Sequence, residues 1–167
     1  MWKDEPRDRY IKLTKPNCFG LTVGAEWFIA EECEEADLKP ALRGAMPPEY
    51  LERLSLQNEV FGDAIELLGI VDKRQAMHVV TAQPVIRGEA TSFGEIAFFM
   101  EELGFLQLGE VSVGREGALS FLRPDDGIAA FDCHPANFLS NGAHVFPIDA
   151  LLVRADEQLL SALASMS

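Results

Sequence analysis

Asp132, Asn137 and Asp149 are the residues of this sequence whose types and spacing suit chemistry. Asp132 ends an apolar run, Ile128-Ala129-Ala130-Phe131, and Pro135 breaks the chain between it and Asn137. After Phe138-Leu139, Asn141-Gly142 signals a hairpin, so the chain should return and bring Asp149 towards Asn137. Three oxygen-bearing side chains are thus expected at one end of a hairpin. Hard oxygens suit magnesium, which takes one or two carboxylates and substrate phosphates rather than a full protein cage. Asp and Asn also build turns unaided, so the ordered context carries the meaning, not the residues alone. A zinc site from Cys133, His134 and His144 is the competing reading. It lacks a second CxxC or HxxxH pair, and adjacent Cys and His do not readily grip one ion.

The elements needed to position these groups can be read from periodicity and breakers. Tyr10–Leu13 reads as a strand, and residues 19–29 as a twisted hairpin or two short strands around Gly20 and Gly24. The acidic run 31–37 reads as solvated. A helix should begin at Pro47-Pro48, with Tyr50, Leu51, Leu54, Asn58 and Phe61 on one face and a stop at Gly62. Residues 65–71 and 77–82 read as antiparallel strands joined by Asp72-Lys73-Arg74-Gln75. Thr91 or Ser92 can cap a second helix, Glu95 making a capping box with Ser92, and the helix carries Ile96, Phe99, Met100 and Leu103 and stops at Gly104. Short strands follow at 119–122, 128–131 and 144–148, with a tight turn at Asp125-Asp126-Gly127, and an amphipathic helix spans 156–164. Strands, helix, strands, helix, strands, helix is an α+β order rather than a βαβ repeat.

Composition narrows the function classes. The net charge of −13 repels phosphate backbones and argues against nucleic-acid binding; ATP would need a local basic or metal-filled site. No stretch is long and apolar enough to span a bilayer, and the N-terminus lacks the apolar core of a secretion signal, so no membrane association is expected. Three cysteines, Cys18, Cys33 and Cys133, read as reduced thiols in a cytoplasm.

The spacing D-x-x-x-x-N is that of a kinase catalytic loop, where the Asp receives the hydroxyl proton and the Asn holds metal. Further pieces extend the likeness: Glu49 to Leu54 with Gln57 to Asp63, Thr81-Ala82-Gln83-Pro84 with Gly88, Asp132 to Leu139, and Pro147-Ile148-Asp149. Together they resemble the kinase-like domain of polyvalent proteins of phages and mobile elements. That family is similar in turn to small protein kinases and aminoglycoside phosphotransferases. The likeness runs from about Tyr10 to about Val153.

The resemblance implies a compact two-lobed kinase-like fold with a reduced N-terminal lobe: 1–82 as the small lobe, 83–90 as hinge, 91–167 as a reduced large lobe. It implies ATP and magnesium as cofactors, Asp132 as general base, and Asn137 and Asp149 as metal ligands. Gln83 and Val85 would meet adenine at the hinge. Glu52 would pair with a phosphate-positioning lysine, for which Lys12 is the first candidate and Lys39 the second. The pattern departs from protein kinases at three places. No glycine-rich hairpin precedes Lys12, Ala130 stands where His is usual, and Asp149 is followed by Ala150-Leu151 rather than Phe-Gly. Two functions therefore compete: a phosphotransferase acting on a protein or small-molecule hydroxyl substrate, and a catalytically inactive, pseudokinase-like interaction module. An acidic mimic blocking a nucleic-acid-binding partner ranks last.

Overall fold

The computed structural model describes residues 1–29, 36–109 and 111–166. In chain order the elements are β1 (Trp2–Asp4), β2 (Arg9–Leu13), β3 (Leu21–Ile29), β4 (Ala36–Gly44), α1 (Pro47–Phe61), β5 (Glu66–Lys73) and β6 (Ala76–Pro84). There follow β7 (Glu89–Ala90), α2 (Phe93–Glu102), β8 (Leu106–Gln107), β9 (Leu119–Arg123) and β10 (Ile128–Cys133). The chain closes with β11 (Phe138–Ser140), β12 (Val145–Pro147), β13 (Leu151–Arg154) and α3 (Glu157–Ala164). Helices alternate with groups of antiparallel strands, a mixed arrangement of the α+β kind. Among the described residues no helix is long and apolar enough to cross a membrane.

The chain divides into two compact units, the first formed by Met1–Leu21 and Gly44–Arg87. Its sheet has the order β1-β2-β6-β5, with every pair antiparallel. Pro47 opens α1, where its missing N–H costs nothing, and Glu49 accepts a hydrogen bond from the Met46 N–H at 2.8 Å. Gly62, left-handed at φ 71°, closes the helix. The buried stripe differs from the expected one: it runs through Tyr50, Leu56, Gln57 and Val60, while Leu51 and Leu54 are half-buried. Asn58, expected on that face, is half-buried but lies outside the observed stripe. Its amide donates to the Ile65 carbonyl at 2.8 Å and accepts from the Ile65 N–H at 2.7 Å, which pins the passage into β5. Tyr50 packs with Phe19, Ala45 and Val79, so α1 covers the sheet face that Val79 occupies. The turn between β5 and β6 is tighter than expected. Arg74 and Gln75 both take positive φ (58° and 63°), the signature of a two-residue turn matched to strand twist, and the strands extend into Asp72 and Lys73.

The second unit comprises Thr22–Arg43 and Gly88–Ser167. Residues 19–29 do not form a hairpin of their own: Leu21–Ile29 is one strand, and β4 is its partner. Pro40 is tolerated because β4 is one edge of this two-stranded sheet. Of the acidic run expected to be solvated, residues 31–35 lie outside the described residues, and Asp37 is exposed. The main sheet has the order β13-β10-β9-β8. Its strand β10 is flanked on both sides, and Ile128, Ala129, Ala130 and Phe131 are all fully buried, as an uninterrupted apolar run requires. Ala129 and Phe131 join Val23, Val113, Leu151 and Leu159 in one core cluster. The α2 capping box forms as the sequence implies, with Glu95 accepting from the Ser92 N–H at 2.8 Å. A small sheet, β12-β11-β7, carries the hairpin beyond Asn137. Gly88 has to be glycine here, since a Cβ would lie 2.6 Å from the Ser140 carbonyl oxygen.

Candidate functional site

Asp132 stands near the end of β10 where the register against β9 shifts between Ala130 and Cys133. Such a bulge re-aims a side chain. The backbone of Asp132 is left-handed, φ 56°, a conformation that costs a non-glycine residue about 1 kcal/mol and that Asp tolerates better than most. Its N–H donates to the Val113 carbonyl at 3.1 Å. The half-buried carboxylate is held at both oxygens. Oδ1 accepts from the Arg115 N–H at 2.7 Å, and Oδ2 accepts from Asn137 Nδ2 at 3.0 Å.

The segment that supplies Arg115, Gly114 to Gly117, was not foreseen as part of the site. Gly114, at φ 104°, presses its Cα against the acid. A Cβ there would lie 2.6 Å from Asp132 Cγ, so glycine is demanded by both torsion and space. The two glycines of Gly-Arg-Glu-Gly are the signal that sequence reading passed over. By contrast, the flagged glycines lie elsewhere: Gly20 faces Arg53, and Gly24 faces Arg43.

Asn137 closes the short 3-10 turn Pro135–Asn137. Its amide nitrogen also donates to the Asp132 carbonyl at 2.9 Å. Both N–H groups are thus directed at Asp132, leaving Oδ1 as the atom that can meet a cation. The Asn137 carbonyl accepts from the Ile148 N–H at 2.8 Å and is 3.4 Å from the Asp149 nitrogen. The hairpin therefore does return Asp149 to Asn137, through the backbone, and Asp149 is exposed. The available oxygens, an amide and a carboxylate, are of the hard type that suits magnesium.

His134 stands beside Asp132, its Nε2 3.6 Å from Oδ1. Its Nδ1 accepts from the Ala136 N–H at 3.3 Å, which puts the ring proton on Nε2, towards the acid. The histidine sought two residues before Asp132 is absent there, and this one lies two residues after. Cys133 is buried with its thiol against the Phe131 carbonyl, and burial, with the Asp132 charge in addition, pushes its pKa far up. His144 is exposed on the hairpin, edge-on to Phe146. Among the described residues no three His, Cys, Asp or Glu side chains group as a metal site.

The remaining candidates lie in the first unit, except Lys39, which belongs to the second. Lys12 is half-buried on β2, opposite Thr81 of β6. Directly opposed residues share a sheet face, and Val79, two residues from Thr81, packs on α1. Lys12 therefore points to the α1 side from an interior strand. Among the described residues, one carboxylate it acts on is Asp63, just past the end of α1. Burial raises the Asp63 pKa to about 6, against the opposing pull of Lys12. Glu52 is exposed on α1, and Lys39 is exposed on β4, 3.6 Å from Asp37. Gln83 lies opposite Tyr10 and lines a cleft of about 290 Å³ with Arg7, Arg9, Ala64 and Glu66. The Val85 N–H donates to the Asp8 carbonyl at 3.0 Å, so that donor is used within the unit.

An acid gripped by an asparagine five residues on, followed by a hairpin and a second acid, is the loop arrangement of kinase-like proteins. The model of the family described as Serine/Threonine/Tyrosine Kinase found in polyvalent proteins matches residues 40–154, and the chain belongs to that family. The match takes in Glu52, Gln83, Val85, Asp132, Asn137 and Asp149; it starts later than Tyr10 and leaves Lys12 outside. It does not bear on the wider likeness to aminoglycoside phosphotransferases. Comparison with curated proteins and with solved structures returned no match.

Proposed function

We propose that the chain is a phosphotransferase that uses ATP and magnesium to phosphorylate a hydroxyl group on a protein or small molecule. The observation that carries this reading is the strained, doubly held carboxylate of Asp132 within a kinase family match. Backbone strain kept at a polar, half-buried acid is characteristic of functional sites. In this reading Asp132 orients the acceptor hydroxyl and takes its proton as the oxygen attacks. The Arg115 N–H and the Asn137 amide fix the carboxylate so that it need not reorganise. Asn137 Oδ1 and Asp149 are the proposed magnesium ligands; the bound ion would neutralise charge on the donor's phosphates. His134 keeps its ring proton directed at Asp132.

In the first unit, Lys12 is the proposed phosphate contact, with Gln83 and Val85 near the base. Because the Val85 N–H is committed to Asp8, the carbonyl oxygens of this segment are the groups left for a purine amino group. That same commitment favours a second reading, an inactive pseudokinase-like interaction module. Thermal melts with millimolar ATP, with and without magnesium, separate the two. Magnesium-dependent stabilisation that Asp149→Ala removes supports the phosphotransferase; no shift with either overturns it.

A further inference from the structure

Arg53 stands apart from the other cations of the first unit. It is half-buried in the middle of α1, with Cζ 5.5 Å from the centroid of the Tyr50 ring one turn earlier. Both Nη atoms approach Gly20. A Cβ at that position would lie 3.6 Å from Nη2 and 3.8 Å from Nη1. Gly20 is left-handed at φ 80°, and its carbonyl accepts from the Ala45 N–H at 3.0 Å, so the turn is fixed from behind. Arg53 Nε is buried without a hydrogen-bond partner, and among the described residues no carboxylate pairs with the side chain.

This is an unexpected state for an arginine in a chain where acids outnumber bases 27 to 14. A buried donor left unmade costs stability, and a carboxylate neighbour would be easy to supply. A planar guanidinium fork held by an aromatic ring and a glycine turn is instead preorganised for an oxyanion from outside. An anion of higher charge than a carboxylate makes the better use of a site that, among the described residues, no carboxylate occupies. It is also the anion that most needs a local cation to enter a field of −13.

We infer that Arg53, framed by Tyr50 and the Phe19-Gly20 turn, is a receptor for a phosphoryl oxyanion, carried by a nucleotide or present as free phosphate. The site lies wholly in the first unit and does not depend on the role given to Asp132.

The test is side-chain NMR of the arginine Nε–Hε groups during titration with inorganic phosphate at constant ionic strength. The expected result is a saturable shift of the Arg53 signal at millimolar phosphate, which sodium acetate and chloride do not reproduce. ATP without magnesium distinguishes the sources: saturation at tenfold lower concentration than phosphate points to a nucleotide, and equal saturation to free phosphate. Arg53→Lys, which keeps the charge and loses the fork, should weaken the response of the Tyr50 ring signals at least tenfold. No saturable shift with phosphate or ATP, or an equal shift with acetate, overturns the inference. The wild-type titration decides this even if the variant does not fold. Magnesium-dependent stabilisation by ATP with a silent Arg53 would sink this site and leave the phosphotransferase reading standing.

Discussion

Asn137 Nδ2 lies 3.0 Å from Asp132 Oδ2 and 2.9 Å from the Asp132 carbonyl oxygen, so one amide grips the same residue by side chain and backbone. Removing it in Asn137→Ala forfeits two hydrogen bonds, one of them to a charge, and should cost about 2–3 kcal/mol in denaturant unfolding. Asn137→Asp sets two carboxylates at hydrogen-bond distance instead. It should be the less stable variant at pH 7 and recover as the pH falls through the carboxylate range. Equal stability of the two at both pH values would show that the contact is not made.

Asp132→Asn keeps a residue that tolerates the left-handed backbone and still accepts from the Arg115 N–H. Folding should change by no more than about 1–2 kcal/mol. Phosphoryl transfer, assayed with labelled ATP, should fall roughly a hundred- to ten-thousand-fold, the span of a lost general base. Retained transfer in a folded variant would remove Asp132 from the chemistry.

Gly114→Ala should be among the most damaging single-methyl additions in the chain. The torsion and the overlap with Asp132 together should cost about 3 kcal/mol or more. Most of the steric part should return in the double variant with Asp132→Gly, a coupling that a double-mutant cycle measures directly. Additive losses would mean that the two residues do not touch.

Asp63 gives a pH signature with a definite sign. Its folded pKa of about 6 lies above the ordinary 3.8, so the folded state holds the proton more tightly. The favourable contribution is complete below about pH 4 and is lost as the pH rises to 6, where only the unfolded state has already ionised. Asp63→Asn should therefore gain in Tm relative to wild type between pH 4 and pH 7. Lys12→Met, which removes the charge opposing burial, should steepen the wild-type loss. A Tm difference flat with pH would contradict the burial of this acid.

Cys133 should resist thiol reagents in the folded protein, because burial and the Asp132 charge both disfavour its thiolate. Cys18 is exposed. In a Cys33→Ser background, one thiol should react at once with a chromogenic disulfide and the second only on adding denaturant. Two fast thiols would refute the packing of β10.

Local chemistry was readable where one side chain decides the outcome. Ser92 with Glu95 announced α2, Gly62 its stop for α1, and the Asp-Pro-Asn-hairpin order brought Asn137 and Asp149 together. What escaped depended on the third dimension. Nothing in the types of Asp132 or Gly114 reveals a positive φ or a bulge, and these place Arg115 on the acid from seventeen residues away. The β3–β4 pairing hid because its partner lies beyond an acidic run. The helix face of α1 was misassigned because Leu51 and Leu54 differ from Leu56 only in what packs over them. Glu52, named through the resemblance, is exposed on α1, and the half-buried acid near Lys12 is Asp63, which no sequence pattern singled out.

The contact between Gly114 and Asp132 also ties their histories. A lineage that abandoned the acid for a smaller residue would free position 114 from the steric half of its constraint, and the glycine could then begin to drift. A lineage that still needs the acid can admit no Cβ opposite it. Glycine at 114 and aspartate at 132 should therefore persist or vanish as a pair.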